Sequence, residues 1–278
     1  MISPVCRTAT PAEVALMLDW AAAEGWNPGL EDAAAFCAAD PGGFFVAEVD
    51  DAPAAAISVV NHSPEMAFLG LYICKPPYRG QGIGMALWHH ALAHAGTRTV
   101  GLDGVAAQQV NYARSGFVRA GASVRYGGAL PALNDVAVRP ATADDSTALA
   151  RLDLAANGYA RPAFLAAWTA PAETRQTLVL QDGDSATGFA SVRRCREGVK
   201  IGPVVAPGTE DAMRLIGAAV AALPASAAII DVPSDNQPLI AALAAAGCIE
   251  TFATARMYRG PAPVAGPGLQ AIGTMELG

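Results

Sequence analysis

The stretch that decides the fold is "ICKPPYRGQGIGMALWHH", residues 73–90. Its centre holds three alternating glycines, Gly80, Gly82 and Gly84, and a helix-like run follows them. Glycines let the backbone curl so that several N–H groups point inward, and a helix start adds unpaired N–H groups and the positive end of the helix dipole. A strand, a glycine loop and a helix in this order therefore predict a site for a phosphate group.

Two familiar phosphate loops fit this stretch poorly. A dinucleotide-binding turn has the pattern G-x-G-x-x-G with an acidic residue about 20 positions on, and Asp103 stands at a suitable distance. The third glycine of that pattern would fall at position 85, which is Met85, and the loop comes after several strands. A Walker loop would continue with Gly-Lys-Ser/Thr, which does not follow here. A turn that only caps the helix at 82–95 stays open as the plain alternative.

The elements around the loop follow from local signals. Thr10, Pro11 and Glu13 form the start of a helix with a capping box, and the turn-rich "GWNPGL" follows that helix. The acidic turn at 50–53 joins two strand-like runs into a hairpin. The sequence thus predicts a helix at 10–25, strands at 43–49, 54–62 and 66–74, a helix at 82–95, a strand at 97–103, a short helix near 108–115 and a strand at 117–126.

The order of elements then begins again. Residues 5–18 parallel 136–152, and residues 101–117 parallel 229–248. Each half reads as strand, two helices, hairpin, strand, helix, strand, helix and strand. We therefore predict two copies of one α/β unit, joined near 129–135.

Two motifs in the first half resemble a known family. "PYRGQGIG" is similar to motif A of the GNAT superfamily of N-acyltransferases, Gln/Arg-x-x-Gly-x-Gly/Ala, in which Arg79, Gly82 and Gly84 fill the fixed positions. "NYARSGF" (111–117) resembles the second signature of the family, a Tyr four residues before a Gly-Phe pair. The early "GWNPG" and the final "ELG" resemble a double-GNAT group. The motifs cover residues 67–117 well, and the second half matches in outline only.

The resemblance implies an α/β fold of the α+β mixed-sheet type. It would consist of two tandem GNAT-like domains, each a mixed, mostly antiparallel sheet flanked by helices. Residues 1–130 would form the catalytic domain, and residues 136–278 a degenerate domain without the CoA loop.

The resemblance also implies acetyl-CoA as co-substrate. Its pyrophosphate would lie on the glycine loop, where Arg79 adds a charge-assisted donor. A backbone N–H near Ile73 and Cys74 would stabilise the oxyanion. The implied cofactor-binding residues are Ile73, Cys74, Arg79, Gly80, Gln81, Gly82, Ile83, Gly84 and Asn111.

By the same resemblance, Tyr112 is the catalytic acid that protonates the departing thiolate. A phenol is protonated at neutral pH, so it is able to donate. A buried helix aromatic is the plainer interpretation of Tyr112. The implied acceptor-binding residues are Trp26, Asn27 and Tyr72, although Trp26 also suits a residue that covers the core.

The general base is not evident. Many relatives carry a Glu on the strand before the loop, but "AFLGLYIC" (67–74) has no carboxylate. Glu48, Glu65, Asp103 and His62 stay open as candidates, directly or through water. His90 and His94 have the i, i+4 spacing of metal ligands but lack the Glu of HExxH, so we expect no metal.

The second copy has lost these features. "VAPGTEDAMRL" (205–215) stands in place of the loop, and its Glu210 and Asp211 satisfy the helix dipole themselves and repel a pyrophosphate. We therefore expect the second half neither to bind CoA nor to catalyse. Two roles stay open for it. It closes the acceptor pocket, with Arg161 and Trp168 as candidates, or it only stabilises the first half. A helix that buries Phe164 and Trp168 at i, i+4 is the plainer interpretation of residues 159–168.

The composition narrows the class of protein. Hydrophobic residues make up 53% of the 278 residues and charged residues 15%, which allows a sizeable core. A net charge of −7 without a basic cluster argues against nucleic acid and anionic membrane surfaces as partners. Five scattered cysteines argue against a disulfide framework, and the N-terminus lacks signal-peptide character. We expect a soluble, cytoplasmic protein.

The predicted function is transfer of an acetyl group from acetyl-CoA to a small-molecule primary amine, directly within a ternary complex. One alternative is a non-catalytic acyl-CoA sensor, in which the second half reports occupancy. Another is acetylation of a protein N-terminus or lysine.

Overall fold

The computed structural model describes residues 4–278 as a mixed sheet flanked by helices. The helices are α1 (Pro11–Ala23), α2 (Asp32–Ala39), α3 (Ile83–His94), α4 (Gln109–Arg114), α5 (Ser146–Asn157), α6 (Pro162–Thr169), α7 (Thr209–Ala222) and α8 (Gln237–Ala245). The strands are β1 (Val5–Thr8), β2 (Phe44–Val49), β3 (Ala52–Asn61), β4 (Met66–Cys74), β5 (Thr99–Gly104), β6 (Val118–Gly128), β7 (Val138–Pro140), β8 (Arg175–Asp182), β9 (Ser185–Arg194), β10 (Val199–Val205), β11 (Ala228–Pro233), β12 (Ile249–Arg259) and β13 (Leu269–Ala271).

The elements occur twice in the order that the sequence indicates. The strand order across the sheet is β1-β2-β3-β4-β5-β12-β6-β11-β10-β9-β8-β7, and β13 pairs with β10. The pairs β4–β5 and β10–β11 are parallel and the other pairs are antiparallel. The predicted fold class, a mixed and mostly antiparallel sheet in two related halves, is therefore confirmed.

The two halves exchange their last long strands. β12, from the second half, pairs with β5 through Ala255–Arg259, and β6, from the first half, pairs with β11 through Ser123–Gly128. β6 and β12 also pair with each other. The predicted domain limits, 1–130 and 136–278, follow the order of elements along the chain. In the sheet, one strand from each side of that division, β6 and β12, lies among the strands of the other half.

An apolar core joins the helices of the two halves. Phe36 on α2 stacks on Trp168 of α6, with ring centroids 6.1 Å apart. Trp168 is fully buried, and its Nε1–H donates to the carbonyl oxygen of Gly202 at 3.0 Å. The side chain lies in the packed interior between the halves, as the plainer interpretation of a buried helix residue has it, and the alternative role of Trp168 in an acceptor pocket is wrong.

Arg161 is also a structural residue. Its guanidinium forms two hydrogen bonds of 2.8 Å with the carboxylate of Asp153 and donates to the Gly278 oxygen. Only 2% of Arg161 is exposed. The predicted acceptor role of Arg161 is wrong as well, since every direction of its guanidinium is taken up inside the protein.

Residues 269–278, the C-terminal segment, fill the space between the halves. β13 pairs with the end of β10, and the N–H of Ile272 donates to the carbonyl of Asp231 on β11 at 2.9 Å. The wedge between these two parallel strands is thereby occupied by the chain itself. Residues 271–278 are buried throughout.

His62 anchors the end of this segment, and we expect it to make stability depend on pH. Its Nε2–H donates to the carbonyl of Leu277 at 2.7 Å. Burial, reinforced by the positive charge of Arg161, lowers the pKa of His62 to about 4. Below pH ~6.5 His62 is protonated in the unfolded chain but stays neutral in the folded chain. The free energy of unfolding therefore falls as the pH drops from ~6.5 towards 4, by up to about 3 kcal/mol.

Urea unfolding at pH 7.5 and pH 5 measures this loss. A His62→Gln variant keeps a donor for Leu277 and has no imidazole to titrate, so its stability should change less between the two pH values. Equal losses in both proteins would remove His62 as the cause.

No helix within residues 4–278 combines the length and the apolar character that a bilayer crossing requires.

Candidate active site

β4 and β5 separate at the site. They pair in parallel from Met66–Thr99 to Leu69–Leu102, and beyond that point β4 pairs with β3 alone. Parallel strands that part in this way leave a wedge in the sheet. The wedge opens towards the glycine loop that follows β4.

A β-bulge accounts for the bend of β4. Gly70 lies opposite Ser58, and Ile73 lies opposite Ala56, so two residues of β4 face a single residue of β3. Leu71 takes a positive φ of 48°, which few non-glycine residues adopt. A bulge bends its strand and redirects side chains. Here it buries Leu71 and brings Tyr72 to the wedge.

The glycine loop presents free N–H groups. Gly82, with φ 83°, precedes α3, and the N–H of Ala86 makes the first helical bond to its carbonyl at 3.0 Å. The N–H groups of residues 83–85 therefore have no acceptor within the helix. The first turn of α3 carries no acidic residue. A Cβ placed on Gly80 or Gly82 would meet nothing within 4 Å, so the loop faces open space.

Arg79 lies at the edge of this space. Its Nε donates to the carbonyl of Cys74 at 2.7 Å, and its Nη2 forms an ion pair with Glu24 at 2.6 Å. The side chain is half exposed. Gln81 turns away and donates to the carbonyl of Pro77 at 2.7 Å. Arg79 is thus placed to exchange Glu24 for an anion in the loop.

An outer cleft of about 620 Å³ lies between the loop and the β5–α4 connection. Ile83 is buried in the core below it, and Gln81 is outside its lining. The structure brings together the other seven predicted cofactor-binding residues along the cleft: Ile73, Cys74, Arg79, Gly80, Gly82, Gly84 and Asn111.

A smaller inner chamber of about 70 Å³ continues from the cleft into the wedge. Trp26, Tyr72, Val105 and Gln108 line both spaces. The second half contributes to the chamber through β12 and the C-terminal segment. Those contributions are Phe252, Thr254, Met275 and Glu276.

Tyr112 lines the chamber and is held by aromatic packing. Its ring stacks on Trp88 at 5.5 Å, and Phe117 packs edge-on at 6.5 Å. A Cβ on Gly104 would lie 2.9 Å from the Tyr112 ring, so glycine is needed there. Burial raises the pKa of Tyr112 well above its usual range, and the nearby Tyr72 adds to the rise. The phenol is therefore a proton donor at neutral pH.

Of the predicted acceptor-binding residues, Trp26 and Tyr72 line the chamber and Asn27 does not. Burial raises the pKa of Tyr72 to about 12, and a Cβ on Gly84 would lie 2.7 Å from its hydroxyl. The carbonyl of Trp26 accepts from Lys200 at 2.9 Å. Asn27 instead binds both backbone groups of Glu197, at 2.8 and 3.2 Å, and lines neither the cleft nor the chamber.

Of the four base candidates, Asp103 lines the chamber. Its carboxylate accepts from Arg256 at 2.6 Å, and from Ser123 and Thr254 at 2.9 and 3.1 Å. These bonds occupy its oxygens. The remaining three candidates have other partners away from the chamber: Glu48 with Arg7, Glu65 with Ser63, and His62 with Leu277.

The chamber also contains polar residues that the sequence did not suggest. Arg125 on β6 binds Asp231 through Nε and Nη2, at 2.7 and 2.9 Å, and donates to the Trp26 carbonyl at 3.1 Å. Glu276 enters from the C-terminal segment. The final "ELG" was the sole sequence signal for that segment, and it gave no position in the fold.

The corresponding place in the second half is closed. α7 begins with Glu210 and Asp211 in its first turn, and Arg214 pairs with Asp211 at 2.9 Å. β13 lies in the wedge between β10 and β11. The start of α7 therefore carries acidic residues where the start of α3 carries none, and the wedge that forms the inner chamber in the first half is filled by β13 in the second.

Comparisons with known proteins agree with this architecture. Residues 13–118 match a family model described as "Acetyltransferase (GNAT) family", and residues 149–268 match one described as "Acetyltransferase (GNAT) domain". The chain is 35% identical over 276 residues to a protein named holothin acyltransferase from Pseudoalteromonas sp. (strain SANK 73390). The aligned region covers 98% of this chain and 94% of that protein.

Two solved structures share the fold over nearly the whole chain. A putative acetyltransferase from Pyrococcus horikoshii has a TM-score of 0.83 at 21% identity, covering 99% of this chain and 96% of the other. A tandem GNAT protein from the clavulanic acid biosynthesis pathway has a TM-score of 0.65 at 17% identity, covering 94% and 100%.

The chain belongs to the GNAT family of acyltransferases. It is an N-acyltransferase with two GNAT domains in tandem.

Proposed function

We propose that the protein transfers an acetyl group, or a close acyl relative, from acyl-CoA to a small-molecule primary amine within a ternary complex. One observation carries this proposal. A glycine loop with free helix-start N–H groups lines the outer cleft, the inner chamber adjoins this cleft, and Tyr112 lines that chamber.

Acyl-CoA would bring a pyrophosphate and a thioester. The N–H groups of residues 83–85 and the dipole of α3 suit the pyrophosphate, and Arg79 would leave Glu24 to join it. The thioester would lie at the junction of cleft and chamber, near Tyr72 and Tyr112.

The amine must attack as a neutral nucleophile, and the thiolate must leave. Tyr112 is protonated and buried, so it supplies a proton to the departing sulfur. Trp88 and Phe117 form apolar surroundings for Tyr112. Because water is excluded there, a hydrogen bond from the Tyr112 hydroxyl to the departing sulfur would be stronger than in water.

A small acceptor suits the dimensions of the chamber. A chamber of about 70 Å³ suits an amino group with a few attached atoms, and the adjoining cleft is open to the rest of a small molecule. The relative named holothin acyltransferase supports a small-molecule acceptor over a protein side chain. A sensor without turnover is the competing function, and release of free CoA thiol in the presence of an amine panel distinguishes the two.

We expect acetyl-CoA to bind at one site per chain, at the first glycine loop. Gly82→Val should weaken binding about 10- to 100-fold, since a side chain there would block N–H bonds to charged phosphate, each worth about 1.5–3 kcal/mol. Isothermal titration calorimetry measures the number of sites per chain and the affinity of each variant for acetyl-CoA. Gly247→Val is the matched control, because Gly247 lies after α8, has a positive φ of 91° like that of Gly82 and has open space around its Cβ.

Two equal sites per chain, or equal effects of the two substitutions, would contradict this assignment.

A further inference from the structure

We propose that Glu276 receives the acceptor amine in the inner chamber and takes up its proton. This inference rests on the proposed acyl transfer to an amine. It places the general base of the reaction, which no sequence motif identifies, on the C-terminal segment. That segment belongs to the second half of the chain.

The position of Glu276 is the first argument. The residue is 5% exposed and lines the chamber together with Tyr112 and Trp26. Its backbone crosses β4 at Gly70, where a Cβ would collide with the carbonyl oxygen of Glu276. β4 itself carries no carboxylate. The absence of a side chain at Gly70 therefore lets another segment bring a carboxylate to the strand.

The carboxylate is held in place before any substrate arrives. The hydroxyl of Thr274 donates to one carboxylate oxygen of Glu276 and accepts from the Glu276 N–H at 2.9 Å. Thr274 is fully buried. His62 and Arg161 fix the two residues that follow Glu276. A fixed, buried side chain has the preorganisation that a catalytic group needs.

Its lack of a cationic partner is the second argument. Asp103 pairs with Arg256, and Asp231 pairs with Arg125. Within residues 4–278, Glu276 has no Lys, Arg or His nitrogen within the 4.0 Å that defines an ion pair. A buried carboxylate without a charge partner is costly, so an ammonium or amine N–H from outside has a site to fill.

The nearby cations are already engaged. Arg125, Arg193 and Lys200 lie within electrostatic range of Glu276. Arg193 contacts Asp32 at 3.2 Å, and the Lys200 ammonium donates to a backbone carbonyl at 2.9 Å. Their positive charges act on the Glu276 carboxylate from a distance, and none of the three forms a hydrogen bond with it.

The reaction then balances. The acceptor R–NH₃⁺ gives one proton to Glu276, and the neutral nitrogen attacks the thioester carbon. The C–N bond forms, the C–S bond breaks, and Tyr112 protonates the thiolate. The extra proton on nitrogen returns to the Tyr112 phenolate, and Glu276 releases its proton to water. The products are an amide, CoA thiol and one proton.

Glu276→Gln tests the assignment with acetyl-CoA and a panel of benzylamine, tyramine and ethanolamine. With the best acceptor of the panel, kcat should fall roughly 10²–10⁴-fold and the acceptor KM should rise, while acetyl-CoA affinity and Tm stay unchanged. Glu250→Gln, at an exposed carboxylate on β12, is the control and should keep the parent rate. Raising the pH towards the pKa of the acceptor should recover the rate of Glu276→Gln selectively, because the amine then loses its proton unaided.

Parent-like kcat and KM in Glu276→Gln would overturn this inference and leave acyl transfer intact. A parent chain that acylates no amine would overturn the proposed function and this inference with it. Should the Gln variant unfold, Glu276→Asp decides, since it keeps the charge and shortens its reach. A rate below the parent's with intact acetyl-CoA affinity supports the role, and a parent-like rate overturns it.

Discussion

A Tyr112→Phe variant is expected to bind acetyl-CoA as tightly as the parent chain and to turn over roughly 10²–10⁴-fold more slowly. The substitution removes one oxygen and leaves the ring stacked on Trp88 with Phe117 packed edge-on. The fold and the outer cleft should therefore be unaffected. The lost function is protonation of the thiolate, which occurs only as the C–S bond breaks, so the loss belongs in kcat.

Initial rates of thiol release at saturating amine measure this effect, and calorimetry measures the affinity for acetyl-CoA. Tyr126→Phe is the matched control, because Tyr126 is buried to a similar extent in the core of the second half. If Tyr112→Phe and Tyr126→Phe both keep the parent kcat, Tyr112 is a packing residue.

Residues 1–135 produced alone are expected to lose the folded state. Without the second half, β5 and β6 lose β12 from between them, and β6 also loses β11. The core of the first half loses Ala255 and Met257, which belong to the same buried cluster as Trp88. Unpaired edges of this length favour aggregation over a smaller native fold. The inner chamber would lose Glu276 and its neighbours as well.

Circular dichroism and size-exclusion chromatography of 1–135 test this expectation. Co-expression with 136–278 is the control, since two separate chains retain every pairing of the exchanged strands and should recover acyl transfer. A soluble, cooperatively unfolding 1–135 with the parent kcat and KM would show that the exchange is dispensable.

The local elements of this fold were readable because their signals are local. The capping box at Thr10 forms as expected, with the Glu13 carboxylate accepting from the Thr10 N–H at 2.8 Å. The glycine loop and α3 also follow from residue type, since the positive φ values of Gly80 and Gly82 favour glycine. The predicted strand at 117–126 corresponds to β6, and the repeated order of elements implied a matching strand in the second half, which is β12.

The pairing of those strands was not readable. Alternation says which face of a strand is buried, and it does not say which strand lies beside it. Two related halves offer similar final strands, each of 11 residues, to either partner. The sequence therefore gave no means of placing β12 beside β5.

Three residues that the sequence suggested for the acceptor pocket lie outside the chamber lining for a common physical reason. Arg161, Trp168 and Asn27 are types that often contact ligands, and each satisfies its polar atoms within the protein instead. Glu276 has no spacing motif around it, and its place depends on a segment that threads between the halves. Long-range threading leaves little trace in local composition.

The strand exchange also sets the order of events during synthesis. β5 and β6 leave the ribosome in succession, yet they must stay about 10 Å apart, two strand spacings, until β12 is made near the end of the chain. The nascent first half thus waits with an open seam and finishes its active site only after the second half has emerged. Such a chain depends on shielding of that seam during translation, and slow elongation lengthens the exposure.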